Sequence, residues 1–122
     1  VDLNGDGTLE LLIAHGESGA QAMSAFHWSS NNNQFLRVLP LTVGGAPARG
    51  AVVTLTRGER VQRRVIDAGS GYLCQMEPVA HFGLGENGAV ATVDGLGPDG
   101  SRAQLRDVEP NQVVRVPYPQ DD

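Results

Sequence analysis

Glycine and proline interrupt this chain too often for a sustained helix. Sixteen glycines and seven prolines fall within 122 residues, and they cluster between short apolar runs. Glycine reaches backbone conformations closed to other residues, and proline lacks an amide donor, so both mark turns rather than element interiors. No 3.6-residue apolar period survives between them. What survives is alternation. Ala51, Val53 and Leu55 alternate with Val52, Thr54 and Thr56, and Val61, Arg63 and Val65 alternate with Gln62, Arg64 and Ile66. A period of two belongs to a strand with one buried face. Arg57-Gly58 lies between the two runs and allows a tight turn, so they are expected to pair as a hairpin.

The same reading extends along the chain. Residues 11–14 read as a short buried strand, and residues 22–28 as a strand pairing back on it. Five small polar residues at 29–33 mark a boundary between two units. Beyond it, strands are expected over residues 35–41, 50–56, 61–66, 72–76, 79–82, 89–93, 102–105 and 112–116. Pro78 splits the fourth from the fifth, and Gly97-Pro98-Asp99-Gly100 is a strong turn signal. The last two strands are expected to pair with each other across Glu109-Pro110-Asn111. Pro117 and Pro119 then end the pairing. Short strands at regular spacing predict an all-β fold: a two-strand remnant over residues 1–30, then a β-sandwich or barrel-like domain over residues 31–119, with a tail at 120–122.

Composition narrows the partners. Apolar residues make up 40% of the chain, enough for a core, but aromatics are only 5%, so that core must be built from Val, Leu, Ile and Ala. The net charge is −5 at pH 7, which disfavours nucleic acid as a partner, because phosphate contacts need clustered cations. Every basic residue is arginine. Arg57, Arg60, Arg63 and Arg64 form either a local basic patch or the solvated side of a hairpin. No apolar run approaches membrane-spanning length, so membrane insertion is not expected. A single cysteine, Cys74, excludes an internal disulfide and leaves the redox compartment open. Val1 carries no initiator methionine or signal peptide and reads as the cut end of a longer chain.

The most specific chemistry lies at the start, in Asp2-Leu3-Asn4-Gly5-Asp6-Gly7-Thr8-Leu9-Glu10. Asp2, Asn4 and Asp6 stand at loop positions 1, 3 and 5, Thr8 offers a carbonyl at position 7, and Glu10 stands at position 9. Alternate spacing lets a tightly turning loop aim successive oxygens inward, with Gly7 permitting the turn. Hard oxygen donors suit Ca2+, and nothing soft is present to favour zinc or copper. The loop is not an EF-hand, because position 12 falls on Ile13 instead of a bidentate glutamate. The alternative is a polar turn whose side chains bond only their own backbone.

The loop, with the strands after it, resembles the calcium loops of FG-GAP repeats in integrin-type β-propellers, where position 9 is usually aspartate. Further on, Phe35-Leu36-Arg37-Val38, Pro47-Ala48-Arg49-Gly50-Ala51-Val52-Val53-Thr54-Leu55 and the run from Gly69 through His81-Phe82-Gly83-Leu84-Gly85 resemble the ASPIC/UnbV domain of the cartilage acidic protein family. The family's Trp-Pro-x-Gly turn is matched by Leu96-Gly97-Pro98-Asp99-Gly100, without the tryptophan. The resemblance implies the end of a propeller, then this β domain, then an EGF-like module beyond Asp122. It also implies a secreted, extracellular, calcium-binding glycoprotein of matrix or cell surface. Such a protein would bind a cell-surface receptor or matrix component and, as a neuronal receptor ligand, favour axon growth. No Asn-x-Ser/Thr sequon occurs in these residues.

Nothing in the sequence assembles a catalytic site, and no enzyme activity is expected. Cys74 and His81 could serve as nucleophile and base, but no third orienting group is identifiable; the plainer reading is a small buried cysteine and a packing histidine. Cys74 could also pair with a cysteine downstream. Ser70 has Ala68 and Tyr72 where a nucleophile elbow needs glycines, and His15, His27 and His81 follow no zinc spacing. Phe26 and Trp28 read as propeller core. A second functional class is a carbohydrate- or matrix-binding sandwich using Tyr72, Tyr118 or the Arg57–Arg64 stretch.

Overall fold

A computed structural model of the protein describes residues 1–16, 19–29, 32–67, 69–70, 75–86 and 89–119. They fall into two compact units, 1–32 and 33–122. No helix forms among the described residues, and none is therefore long and apolar enough to cross a membrane.

The first unit is a loop followed by a hairpin. β1 (Leu11–Ile13) and β2 (Ser24–Phe26) pair antiparallel with Leu11 opposite Phe26 and Ile13 opposite Ser24. Both strands form within the runs expected at 11–14 and 22–28, but β1 is not buried: Leu11, Leu12 and Ile13 are 50%, 38% and 37% exposed. The apolar run specifies a strand, yet a two-stranded sheet supplies no second layer to cover either face. Phe26 and Trp28 are likewise exposed on this unit.

The second unit is built from seven strands. β3 (Gln34–Pro40) is flanked by β6 (Ala80–Gly85), antiparallel, and β9 (Gln112–Val116), parallel. The other sheet runs β5-β4-β7-β8, all antiparallel, from β4 (Val52–Arg57), β5 (Arg60–Val65), β7 (Ala91–Leu96) and β8 (Arg102–Val108). Both sheets are open, so the architecture is a sandwich, not a barrel. A single buried cluster draws on both: Leu36, Val38, Phe82 and Val116 from one, Val53, Leu55, Val93 and Val108 from the other. Phe82, Leu36 and Leu55 are 0%, 0% and 1% exposed. Burying a side chain of this size contributes about 1.5–3 kcal/mol. The sheets approach closely at Gly95 of β7, where a Cβ would meet the Val116 Cγ1 of β9 at 3.3 Å.

The β4–β5 hairpin forms as the alternation predicts, with Val52 opposite Val65 and Arg57 opposite Arg60. Gly58 turns the chain at φ +55°, the left-handed value a two-residue hairpin loop demands. Elsewhere the structure departs from expectation. The strand expected over 72–76 does not include Gln75 or Met76, and Tyr72 to Cys74 lie outside the described residues. β6 runs on through Gly85, and β7 begins only at Ala91.

The largest departure concerns the last two strands. β8 and β9 do not pair with each other; β8 completes one sheet beside β7, and β9 crosses to the other beside β3. Asp107, at φ 53°, marks a bulge in β8, after which Val108 still pairs with Ala91; Asn111, at φ 60°, then turns the chain away from the four-stranded sheet. Pro110 offers no amide for a return ladder. Asn111 is then captured by β3: its amide donates to Phe35 O at 2.6 Å, and its Oδ1 accepts from Phe35 N at 3.2 Å.

Candidate metal centre

The opening loop closes on itself before the hairpin begins. Glu10 N donates to Val1 O at 2.7 Å, and Val1 N donates to Glu10 O at 3.1 Å. Within that ring, side-chain oxygens at alternate positions gather the backbone amides. Asp2 Oδ1 accepts from Gly5 N at 2.8 Å and Asp2 Oδ2 from Gly7 N at 3.1 Å. Asn4 Oδ1 accepts from Asp6 N at 3.0 Å, and Asp6 Oδ1 from Thr8 N at 2.7 Å. Asn4 Nδ2 also donates to Asp6 Oδ2 at 2.8 Å. Gly7 sits at φ +85°, a conformation that side chains at this tight turn would resist.

Asp2, Asn4, Asp6 and Thr8 are thus brought together in one hydrogen-bonded loop. Glu10 is placed differently. Its side chain is 5% exposed, Oε2 accepts from Leu3 N at 2.8 Å, and Oε1 lies 3.1 Å from His27 Nδ1. His27 is a partner the sequence did not single out. The only signal for it is the strand register: once Leu11 faces Phe26, residue 10 must face residue 27. The Thr8 amide, helped by Asn4, holds the Asp6 carboxyl below its ordinary range. The Leu3 amide does the same for Glu10, with a further contribution from the His27 hydrogen bond. Both groups are therefore ionised at neutral pH.

The donor set fits a hard cation in kind, with two aspartates and an amide oxygen on a tight, largely exposed loop. Among the described residues, no three His, Cys, Asp or Glu side chains converge as a cluster. The other histidines are engaged elsewhere: His15 Nε2 lies 2.7 Å from Ser24 Oγ, and the His81 ring stacks on Phe35 at 6.1 Å. Cys74, whose pairing with His81 the sequence raised and set aside, lies outside the described residues.

Fold and loop together define an all-β protein in which an acidic loop on a hairpin precedes an open sandwich. The model of the ASPIC and UnbV family matches residues 42–122. The chain is 49% identical to cartilage acidic protein 1 of Homo sapiens, over 99% of this chain and 19% of that protein. It is 48% and 46% identical to the proteins of the same name from Mus musculus and Xenopus tropicalis, with the same coverage. The chain belongs to the ASPIC and UnbV family, and among its relatives are the cartilage acidic proteins, as the run ending in His81-Phe82-Gly83-Leu84-Gly85 implied. It spans about a fifth of the length of the curated relatives it matches.

Proposed function

We propose that this chain is a non-catalytic, calcium-binding interaction module of a secreted, matrix-associated protein. The observation that carries the reading is the opening loop, where the oxygens of Asp2, Asn4 and Asp6 stand at alternate positions around left-handed glycines, each also accepting an amide of the loop. The relatives' name, cartilage acidic protein, supports the matrix setting.

In this reading Asp2, Asn4 and Asp6 hold Ca2+ through their side chains and Thr8 through its carbonyl, and Glu10 joins them by exchanging its Leu3 and His27 contacts for the ion. The ion supplies the charge that offsets neighbouring carboxylates and ties the loop to β1. Residues 1–30 then belong to the end of an FG-GAP propeller. The exposed apolar residues of β1 and β2 support this, since a lone hairpin with Leu11, Ile13 and Phe26 uncovered is marginal by itself. Residues 31–119 form the ASPIC/UnbV domain, and 120–122 lead toward an EGF-like module. The partner is a cell-surface receptor or matrix component; engagement of a neuronal receptor that favours axon growth is the finer form of the same proposal.

The test is calorimetric titration with calcium chloride. Binding should add about 2–4 kcal/mol of stability when free calcium exceeds the dissociation constant by roughly a hundred- to a thousandfold. Asp6→Asn retains an acceptor for the Thr8 amide but removes the charge. It is expected to weaken binding at least about tenfold, a loss of about 1.4 kcal/mol. Equal affinity for the two proteins would reduce the loop to a polar turn.

A further inference from the structure

The four clustered arginines of the sequence are separated by the register. On β5, Arg60 and Arg64 face the same side as the buried Val53 and Leu55 of β4; Arg64 reaches over the Phe82 ring at 5.5 Å. Only Arg63 lies on the outer side, opposite Thr54, which is in turn opposite Asp94 and then Gln104. The neighbouring row runs Val65, Val52, Leu96 and Arg102. Arg106 follows on β8, its Nε donating to Gln104 Oε1 at 2.7 Å. The outer face of the four-stranded sheet therefore carries arginine on both edge strands, Arg63 on β5 and Arg102 and Arg106 on β8. Between them lies a floor of threonine and short apolar side chains. Three strand spacings separate the edges, about 14 Å. A pocket of about 490 Å³ lies on this face, with Arg63, Thr54, Asp94 and Arg102 in its lining.

This face is positive in a chain whose net charge is −5. Three arginines stand against two acids: Asp94, whose Oδ1 accepts from Gln104 Nε2 at 2.6 Å, and Asp107, which lies beside Arg106 at the β8 bulge opposite Thr92. Arg63 and Arg102 are exposed and form no ion pair with a described residue. All the cations are guanidinium groups, which bind sulfate and carboxylate in a bidentate fork. Thr54, Thr56, Thr92 and Gln104 add hydroxyl and amide groups that match sugar hydroxyls. The strands of this face carry no aromatic side chain, so it offers no platform for stacking a nucleic-acid base.

We propose that the outer face of the β5-β4-β7-β8 sheet binds a linear sulfated polysaccharide, gripped by Arg63 on one edge and by Arg102 and Arg106 on the other. The inference rests on the matrix-facing reading of the chain but does not need the calcium loop. Of the Arg57–Arg64 stretch that the sequence offered for sugar, it uses Arg63 alone, joined by Arg102 and Arg106 from β8.

The test is calorimetry of the 122-residue chain with heparin oligosaccharides, in calcium and again in EDTA. Arg63→Ala and Arg102→Ala are each expected to weaken binding about three- to tenfold and to lower the salt slope by about one. Asp94→Asn should tighten binding, and Arg60→Ala, on the opposite side of β5, should leave it unchanged. EDTA should change nothing in the wild type, which separates this site from the calcium reading. The proposal is overturned by any of four results: no binding, equal binding of neutral dextran or single-stranded oligothymidine, insensitivity to the Arg63 and Arg102 substitutions, or loss in EDTA.

Discussion

At the residue scale, Glu10 shows what spacing reveals and what it hides. The alternate oxygens of Asp2, Asn4 and Asp6 are legible because a loop of this kind is local: each side chain bonds an amide two to five positions away. The His27 contact is not legible, since it lies 17 residues on and exists only once the hairpin has chosen its register. The contacts of Asp6 and Glu10 also set a pH dependence. The Thr8 amide depresses the Asp6 carboxyl, and the Leu3 amide depresses that of Glu10. A depressed carboxyl stabilises the folded loop above its unfolded pKa, and that stabilisation is lost as pH falls through the lower folded value. The loop is therefore expected to hold at neutral pH and to loosen only below the ordinary carboxylate range. Nuclear magnetic resonance checks this through the Leu3 and Thr8 amide shifts during acid titration. Midpoints at or above ordinary carboxylate values would contradict the assignment.

At the element scale, legibility depended on how far a strand's partner lies along the chain. The β4–β5 hairpin was readable because its two alternating runs and Gly58 sit side by side. The β8–β9 pairing was misread because the signals that matter are single residues, not runs. Asp107 and Asn111 take left-handed backbone, and Asn111 bonds Phe35, 76 residues earlier. Asparagine tolerates φ near +60° better than most residues, because its short side chain can hydrogen-bond locally. Asn111→Ala loses both that tolerance and the acceptor for the Phe35 amide, and is expected to cost about 1–2 kcal/mol in urea denaturation. Asn111→Gly should fall between the two, since it restores the backbone but not the hydrogen bond. If alanine matched the wild type, the crossover would have to be held by β9 packing alone.

At the scale of the whole molecule, the sandwich is joined through the two ends of its second unit. β3 opens that unit and β9 closes it, and they lie side by side in parallel. The family match begins at residue 42, after β3 has ended at Pro40. Yet β3 is the middle strand of its sheet, holding β6 on one side and β9 on the other. It also contributes Leu36 and Val38, both 0% exposed, to the shared core. A fragment cut at the family boundary would keep the four-stranded sheet but leave β6 and β9 with no strand between them and Phe82 without its cross-strand neighbour Leu36. Losing two buried aliphatic side chains and two ladders exceeds what a domain of this size holds in reserve, about 5–15 kcal/mol. The fragment 42–122 is therefore expected to bind the dye ANS, to lose near-ultraviolet circular dichroism and to melt without a cooperative transition. The fragment 33–122, only nine residues longer at its start, should melt cooperatively and leave the dye unbound. Cooperative melting of 42–122 would show that the four-stranded sheet stands alone and that β3 is an accessory to the family fold.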